Sequence, residues 1–214
     1  MSCFKRYIIG DSCLCWALGE TMDRDVSRKV LAACRILKRA LAEEPGFRDL
    51  VPSYTSLAVY LDPLACSLSG VSNRVEEVLG NLGREGQGGG LEHPETVHCL
   101  TVRYDGEDLE RVARHCGLTV REVIDRHKAP LYTVAMIGFL PYFPYLIGLD
   151  RCLETPRLAS PRTKVPAGSV AIGGAQTGVY PSESPGGWNI LGTTDPDLLK
   201  RIHPGDGVLF IEET

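Results

Sequence analysis

The sequence predicts an α+β fold in which a small layered domain is followed by a β-barrel. Strand and amphipathic-helix patterns alternate in the first part of the chain. From residue 130 onward, short apolar runs separated by proline and glycine replace every helical pattern. Between the two parts, five glycines fall within residues 83–90, where backbone freedom makes an ordered element costly. We therefore predict an α+β domain at residues 1–83, a glycine-rich linker at 84–92 and a barrel domain at 93–214.

The first domain is predicted to form one small antiparallel sheet with two helices on one face. Strands are recognised by period-two alternation, and helices by apolar residues at three- and four-residue steps. The elements, in chain order, are strands at 7–9 and 13–18, a helix at 26–41, a strand at 54–61 and a helix at 71–82. Asp23 or Asp25 is positioned to cap the first helix. This arrangement is typical of a ferredoxin-like α/β sandwich.

The second domain is predicted to begin with a strand at 96–102 and two short helices. The first helix covers 108–116 and ends at Gly117, and the second opens with the capping box from Thr119 to Glu122. The remaining strands are predicted at 133–137, 169–172, 189–191 and 207–211. Their spacing by Pro and Gly turns indicates a closed or nearly closed β-barrel.

Charge and composition restrict the class of protein. The 214 residues carry 23 Lys and Arg against 27 Asp and Glu, a formal charge of -4, which excludes a nucleic-acid reader that depends on a basic surface. Residues 131–149 carry no charge, but two prolines and three tyrosines in that stretch favour a buried strand running into a turn over a membrane helix. The opening residues lack a secretory leader, so we expect a cytoplasmic protein with reduced cysteines.

Several familiar catalytic motifs are missing. Residues 173–178 have the glycine spacing of a phosphate-binding loop but lack its Lys-Ser/Thr, and they suit a turn in a barrel better. The sequence has no Gly-x-Ser-x-Gly elbow and no Cys-x-x-Cys pair, so we expect the eight cysteines to be structural and predict no metal site.

The densest chemistry lies between Gly138 and Trp188. Arg162 could bind a carboxylate with its guanidinium fork, and Gln176 and Thr177 could bond both the N–H and the C=O of an amide-like ligand. His127 precedes the aromatic turn and is the histidine placed best to reach such a site. These four residues are our predicted catalytic set. The predicted groove around them consists of Tyr132, Phe139, Pro141, Phe143, Tyr180, Pro185, Gly186 and Trp188, with residues 184–188 as a rigid turn carrying an aromatic lid. Residue types alone fit packed barrel corners equally well.

Five long motifs in this part of the chain resemble one known family. They are Gly138-Phe139-x-Pro141-x-Phe143-x-Tyr145-Leu146-x-Gly148-Leu149-Asp150, Thr155-Pro156-Arg157-x-x-Ser160-Pro161-Arg162, Val165-Pro166-Ala167-Gly168-Ser169-Val170-Ala171-Ile172, Gln176-Thr177-Gly178-x-Tyr180-Pro181 and Ser184-Pro185-Gly186-Gly187-Trp188. On these motifs the chain resembles the family of the 5-oxoprolinase B subunit, also called the KipI or allophanate hydrolase subunit 1 family. The chain departs from the family at Tyr142 and Ile147, where glycine is usual.

The resemblance implies a fold, a reaction and partners. The fold is a ferredoxin-like domain followed by a cyclophilin-like barrel. The reaction is the ATP-dependent opening of 5-oxoproline to glutamate. Family members work with the 5-oxoprolinase C subunit, which is KipA or biotin-dependent carboxyltransferase-like, and with the A subunit of the LamB/YcsF type. ATP with magnesium is then expected to be shared with or bound by the partner, and this chain is expected to be inactive alone.

The resemblance also suggests roles for individual residues, and it leaves other functions open. From the matched motifs and side-chain chemistry, our hypothesis assigns Arg162 to the substrate carboxylate and Gln176 with Thr177 to the lactam edge, with Tyr180, Trp188 and Phe143 enclosing the site. One alternative is a KipI-like protein that inhibits a sensor histidine kinase. Another is a carboxyltransferase-type subunit for urea-derived substrates such as allophanate.

Overall fold

The computed structural model describes residues 4–84, 94 and 96–214. Its contacts divide the chain into two compact units, one within Met1–Glu92 and the other within His93–Thr214. The predicted linker at 84–92 lies outside the described residues, except for Arg84 at the end of a helix.

The first unit is a four-stranded antiparallel sheet with two helices. Its elements are β1 (Lys5–Ile9), β2 (Cys13–Ala17), α1 (Arg24–Ala40), β3 (Phe47–Pro52), β4 (Ser56–Leu61) and α2 (Leu68–Arg84). The strand order is β1-β2-β4-β3. Alternate residues of β2 and β4, among them Trp16 and Leu57, form the core together with apolar residues of both helices.

Local sequence accounts for most of this unit, with one omission. The Asp23 carboxylate accepts a hydrogen bond from the Val26 amide at 2.8 Å and caps α1, as predicted. Strand β3 was not predicted because Arg48 and Asp49 interrupt the alternation and Pro52 cannot donate to a ladder. It is nevertheless ordered as an edge strand by pairing with β4.

The second unit combines two helices with nine strands. Its elements are β5 (Val97–Val102), α3 (Leu109–Cys116), α4 (Val120–Lys128), β6 (Tyr132–Ile137), β7 (Pro144–Ile147), β8 (Arg162–Val165), β9 (Ser169–Gly173), β10 (Gln176–Val179), β11 (Ser184–Gly186), β12 (Asn189–Thr193) and β13 (Gly207–Glu212). Short 3₁₀ turns occur at Arg151–Leu153 and Pro196–Arg201. Gly117 ends α3 with φ +67°, and the predicted capping box of Thr119 and Glu122 opens α4.

Seven of these strands form a sheet that nearly closes on itself. The order is β12-β9-β10-β7-β6-β13-β5, in which only β13 and β5 run parallel. The two end strands meet where Arg103 and Thr193 exchange backbone hydrogen bonds of 2.9 Å. The prediction of a mixed α and β chain with a nearly closed barrel is therefore confirmed.

Two predicted turns are strands in the structure. Residues 173–178 form the end of β9, a short turn and most of β10, because β10 pairs with both β9 and β7. Residues 184–186 form β11, which pairs with β8 in a separate two-stranded sheet. The uncharged stretch 131–149 forms β6, a turn and β7, and no helix among the described residues has the length and apolarity needed to cross a membrane.

The turn between β6 and β7 contains two residues in the left-handed region. Phe139 has φ +67° and Tyr142 has φ +68°, a conformation that costs a non-glycine residue about 1–2 kcal/mol. Tyr142 is one of the positions where glycine is usual in the resembling family, and its side chain is 48 % exposed. The backbone angle gives a physical reason for that glycine.

Replacing Tyr142 separates the backbone effect from the side-chain effect. We expect Tyr142→Gly to be more stable than Tyr142→Ala by about 1 kcal/mol, since only glycine relieves the positive φ. Urea unfolding of the two variants measures the difference. The matched pair Thr163→Gly and Thr163→Ala, at an exposed position in β8, should show the opposite order. The same order at both positions would contradict the explanation.

Candidate functional site

Strand β10 separates the predicted site residues onto two faces of the sheet. Gln176 lies opposite Gly173, and Thr177 lies opposite Ile172 on β9 and Leu146 on β7. Because successive side chains of a strand point to opposite faces, Thr177 points into the barrel and Gln176 points to its outer surface. The two residues predicted to bind one amide therefore do not face the same space.

Inside the barrel, Thr177 and His127 belong to one hydrogen-bonded network. The Thr177 hydroxyl donates to the Ala171 carbonyl at 3.0 Å, so its oxygen accepts from His127 Nε2–H at 2.9 Å. The Tyr104 hydroxyl then donates to His127 Nδ1 at 2.8 Å. The His127 ring also stacks on Phe210, with ring centroids 4.7 Å apart. These partners assign a neutral imidazole with its proton on Nε2.

Burial keeps this network uncharged. His127 is fully buried, and desolvation lowers the pKa of its imidazole to about 3. Tyr132, predicted to line the groove, also lies inside the barrel, where its hydroxyl donates to the His127 carbonyl at 2.7 Å. The contacts of His127, Thr177 and Tyr132 fix α4 against β10 and β6, and their predicted roles toward a substrate stay predictions.

The buried His127 should make folding stability depend on pH. The unfolded imidazole, with a pKa near 6.5, binds a proton below that pH while the folded one does not, so stability falls as the pH drops from 6.5 toward 3. Between pH 7 and pH 5 this loss amounts to about 2 kcal/mol. We expect His127→Gln to lose less stability over this range by that amount, measured by urea unfolding at both pH values. His115→Gln, at an exposed helix position, serves as the matched control and should follow the wild type. An equal pH dependence in all three proteins would contradict the assignment.

The outer face carries a cluster of five aromatic side chains, which we call the aromatic cluster. Phe143 lies at its centre, with ring centroids 4.9 Å from Tyr145, 5.1 Å from Tyr180, 5.5 Å from Phe139 and 5.7 Å from Trp188. The rings meet mainly edge to face, an arrangement that aromatic quadrupoles favour. Phe139 is exposed, Tyr145 is half-buried, and the other three rings are buried. Four of the predicted groove residues are thus brought together, namely Phe139, Phe143, Tyr180 and Trp188.

Three glycines provide the space that these rings occupy. A Cβ on Gly173 would lie 2.6 Å from the Trp188 indole, and one on Gly186 would lie 2.4 Å from the Tyr180 hydroxyl. A Cβ on Gly178 would lie 3.0 Å from the Phe143 ring. Gly186, one of the predicted groove residues, therefore lies against the cluster. Two further residues predicted for the groove are exposed: Pro141 in the turn between β6 and β7, and Pro185 in β11.

Filling the space at Gly173 should displace Trp188. We expect Gly173→Ala to cost about 1–3 kcal/mol of stability, because the indole must move out of contact with β9. Urea unfolding and tryptophan fluorescence measure the two effects. Gly187→Ala, at the residue before Trp188, is the matched control, since its Cβ would meet its nearest neighbours only at an ordinary distance of 3.7 Å. A Gly173→Ala protein with wild-type stability and emission would refute this account of the glycine.

Arg162 lies beside the aromatic cluster, but its charge is already paired. Its Nη2 atom donates to both carboxylate oxygens of Asp108 at 2.9 Å, and its Nε atom lies 2.8 Å from Glu107. The buried Asp108 carboxylate also accepts from the Ile190 amide at 2.7 Å. This pair joins β8 to β12 and to the start of α3. Asp108 was not predicted as a site residue, and its place before a short helix gave no signal of this contact.

A second arginine, Arg157, lies directly on the aromatic cluster. Its guanidinium carbon is 5.6 Å from the centroid of the Trp188 ring, within the range of a cation–π contact. Its side chain is exposed, and no described Asp or Glu forms an ion pair with it. Arg157 was not predicted as a site residue. It belongs to the same motif as Arg162, and the sequence gives no reason to prefer it over Arg162.

Segment 173–178 is the part of the second unit with the glycine spacing of a phosphate-binding loop. The segment is a β-hairpin in which Gly173 and Gly178 lie against aromatic rings, and its strand pairing leaves no phosphate cradle at a helix N-terminus. Across the described ranges 4–84, 94 and 96–214, no three His, Cys, Asp or Glu side chains converge in a metal-binding group. Segment 173–178 therefore does not supply a phosphate-binding loop.

A separate depression of about 540 Å³ lies along α4. Charged side chains line it, and Arg126 and Asp150 form an ion pair across it at 2.9 Å. It contains none of the predicted site residues. The aromatic cluster with its bordering polar side chains is therefore the better candidate site.

Known proteins resemble this chain over almost its whole length. The family model of the carboxyltransferase domain, subdomain C and D, matches residues 4–203. The chain is 37% identical to the 5-oxoprolinase B subunit of Bacillus subtilis, covering 95% of this chain and 90% of that protein. It is 41% identical to the 5-oxoprolinase B subunit of Haemophilus influenzae, covering 82% and 84%.

A solved structure gives the same relationship in three dimensions. The crystal structure of TTHA0988 superposes with a TM-score of 0.79 at 37% identity and covers 94% of this chain. The chain spans only 40% of that solved chain. With matches of this extent to both the family model and the curated relatives, the chain belongs to the family of the 5-oxoprolinase B subunit.

Proposed function

We propose that this chain is the B subunit of an ATP-dependent 5-oxoprolinase, which adds water across the lactam C–N bond of 5-oxoproline and releases glutamate. The observation that carries the proposal is the identity of 37% and 41% with two proteins of that name over most of both chains. We further infer a ferredoxin-like first domain, for which the four-stranded antiparallel sheet with two helices is the support. We likewise infer that the barrel is cyclophilin-like.

The proposed complex divides the reaction among its subunits. Because segment 173–178 is a β-hairpin and not a phosphate-binding loop, we assign nucleotide binding to the KipA-like C subunit and the LamB/YcsF-like A subunit. This chain then contributes the aromatic cluster and the polar groups around it to substrate binding. The length of TTHA0988, of which this chain spans 40%, supports a larger functional assembly. Alone, this chain is expected to be inactive.

The outer face of the barrel suits a small cyclic amide. A five-membered lactam is flat, so aromatic rings such as Tyr145 can contact its faces while polar groups bond its edge. Gln176 is buried on the same sheet face as Gly173, against which Trp188 packs, and an amide side chain is able both to donate to and to accept from a lactam. We assign Gln176 to that edge.

Reconstitution tests the function and the site together. Glutamate release from 5-oxoproline and ATP is measured for this chain alone, for the candidate partner subunits alone and for the mixture. We expect activity only in the mixture, and a loss of roughly tenfold in kcat/KM for Gln176→Leu from one missing hydrogen bond. Arg39→Gln, an exposed helix position in the first unit, should retain full activity. A mixture that is folded and bound yet inactive would reject the function, whereas an unaffected Gln176→Leu complex would reject only the site.

A further inference from the structure

Arg157 has a fixed backbone and an accessible charge. Its segment is held on one side by the hydrogen bond from the Gly174 amide to the Thr155 carbonyl at 2.8 Å. It is held on the other side by the hydrogen bond from the Leu158 amide to the Gly187 carbonyl at 2.7 Å. The exposed guanidinium therefore extends over the Trp188 ring from a fixed point of attachment.

The charge of Arg157 acts on the aromatic cluster. Burial raises the pKa of the Tyr145 hydroxyl, and the Arg157 charge opposes that rise. Burial also raises the pKa of Tyr180, and a backbone hydrogen bond from Trp188 and the charge of Arg157 are among the effects that oppose it. An anion placed at this surface would experience the same positive charge.

Arg162, unlike Arg157, is surrounded by negative charge. Its one positive charge is bonded to Asp108 and Glu107, so the group as a whole carries a net negative charge. Moving its guanidinium to a ligand would leave the buried Asp108 carboxylate without its counter-charge, which is costly. Of these two arginines beside the aromatic cluster, Arg157 is the one available to an anion.

We propose that Arg157 binds the carboxylate of a small cyclic amide whose lactam edge faces Gln176. The proposal rests on the function proposed above and assigns the anion-binding residue within that site. A guanidinium bonds a carboxylate in a planar, two-point geometry, and its contact with Trp188 leaves those N–H donors at the rim of the cluster. Recognition of the carboxylate distinguishes 5-oxoproline from 2-pyrrolidone, which is the same ring without that group.

Titration of the full chain tests the assignment directly. The chain has two tryptophans, so its NMR spectrum contains two indole N–H signals, and a Trp188→Phe variant identifies that of Trp188. We expect 5-oxoproline to shift this signal at concentrations at least about tenfold lower than 2-pyrrolidone does. Arg157→Gln should make the two ligands equivalent, and Arg157→Lys should restore part of the preference because it keeps the charge. Arg39→Gln is the matched control and should behave as the wild type.

Several results would overturn the proposal. A preference for 5-oxoproline that persists in Arg157→Gln would do so, as would a Trp188 signal that neither ligand moves, since the subsite consists of residues of this chain alone.

The outcomes also separate this proposal from the function. If the reconstituted complex is active and Arg157→Gln leaves its KM unchanged, only the subsite fails. If the preference holds but the complex is inactive, only the function fails.

Discussion

The alternation of side chains along β10 is the constraint on which the second unit depends. This strand is buried on both faces, so each of its residues is committed either to the barrel interior or to the aromatic cluster. The hydrogen bond between Thr177 and His127 fixes the inner face against α4. A shift by one residue would exchange Thr177 and Gln176 and leave His127 without its buried acceptor. The register of β10 thus sets both the stability of the barrel and the chemistry of its outer surface.

A second, charged contact orders the edge of the same surface. Asp108 joins Arg162 on β8 to the backbone of β12, immediately after Trp188 in the chain. Such a buried pair contributes little net stability, but breaking it by removing one partner is strongly destabilising. Its effect is to fix where β12 begins, and with it the position of the Trp188 ring. Arg162, which the sequence analysis predicted to bind a carboxylate ligand, is in this structure bonded to carboxylates of the protein itself.

Much of the fold was predictable because its signals are local. The caps at Asp23 and Thr119, the glycine that ends α3 and the alternation in β4 depend on residues within one turn or one strand. Strands β3 and β10 lack such signals and are ordered by their neighbours in the sheet. The predicted site residues were chosen by residue type and motif, which carry no information about their geometry. Gln176 and Thr177 lie on opposite faces of the sheet, and Asp108 pairs with Arg162. Both arrangements depend on contacts that the order of residues along the chain does not reveal.

The glycines of 173–178 show how one composition supports different structures. In a phosphate-binding loop, glycines let backbone amides approach an anion at the start of a helix. Here no helix follows, and Gly173 and Gly178 instead lie beneath the rings of Trp188 and Phe143. The absence of a Cβ at these points lets two bulky rings pack against a β-sheet, which brings aromatic surface and the Gln176 amide onto one face. The chemical character of this surface therefore arises from side chains that glycine makes room for, and the ligand that we propose for it is a flat ring with an anionic substituent.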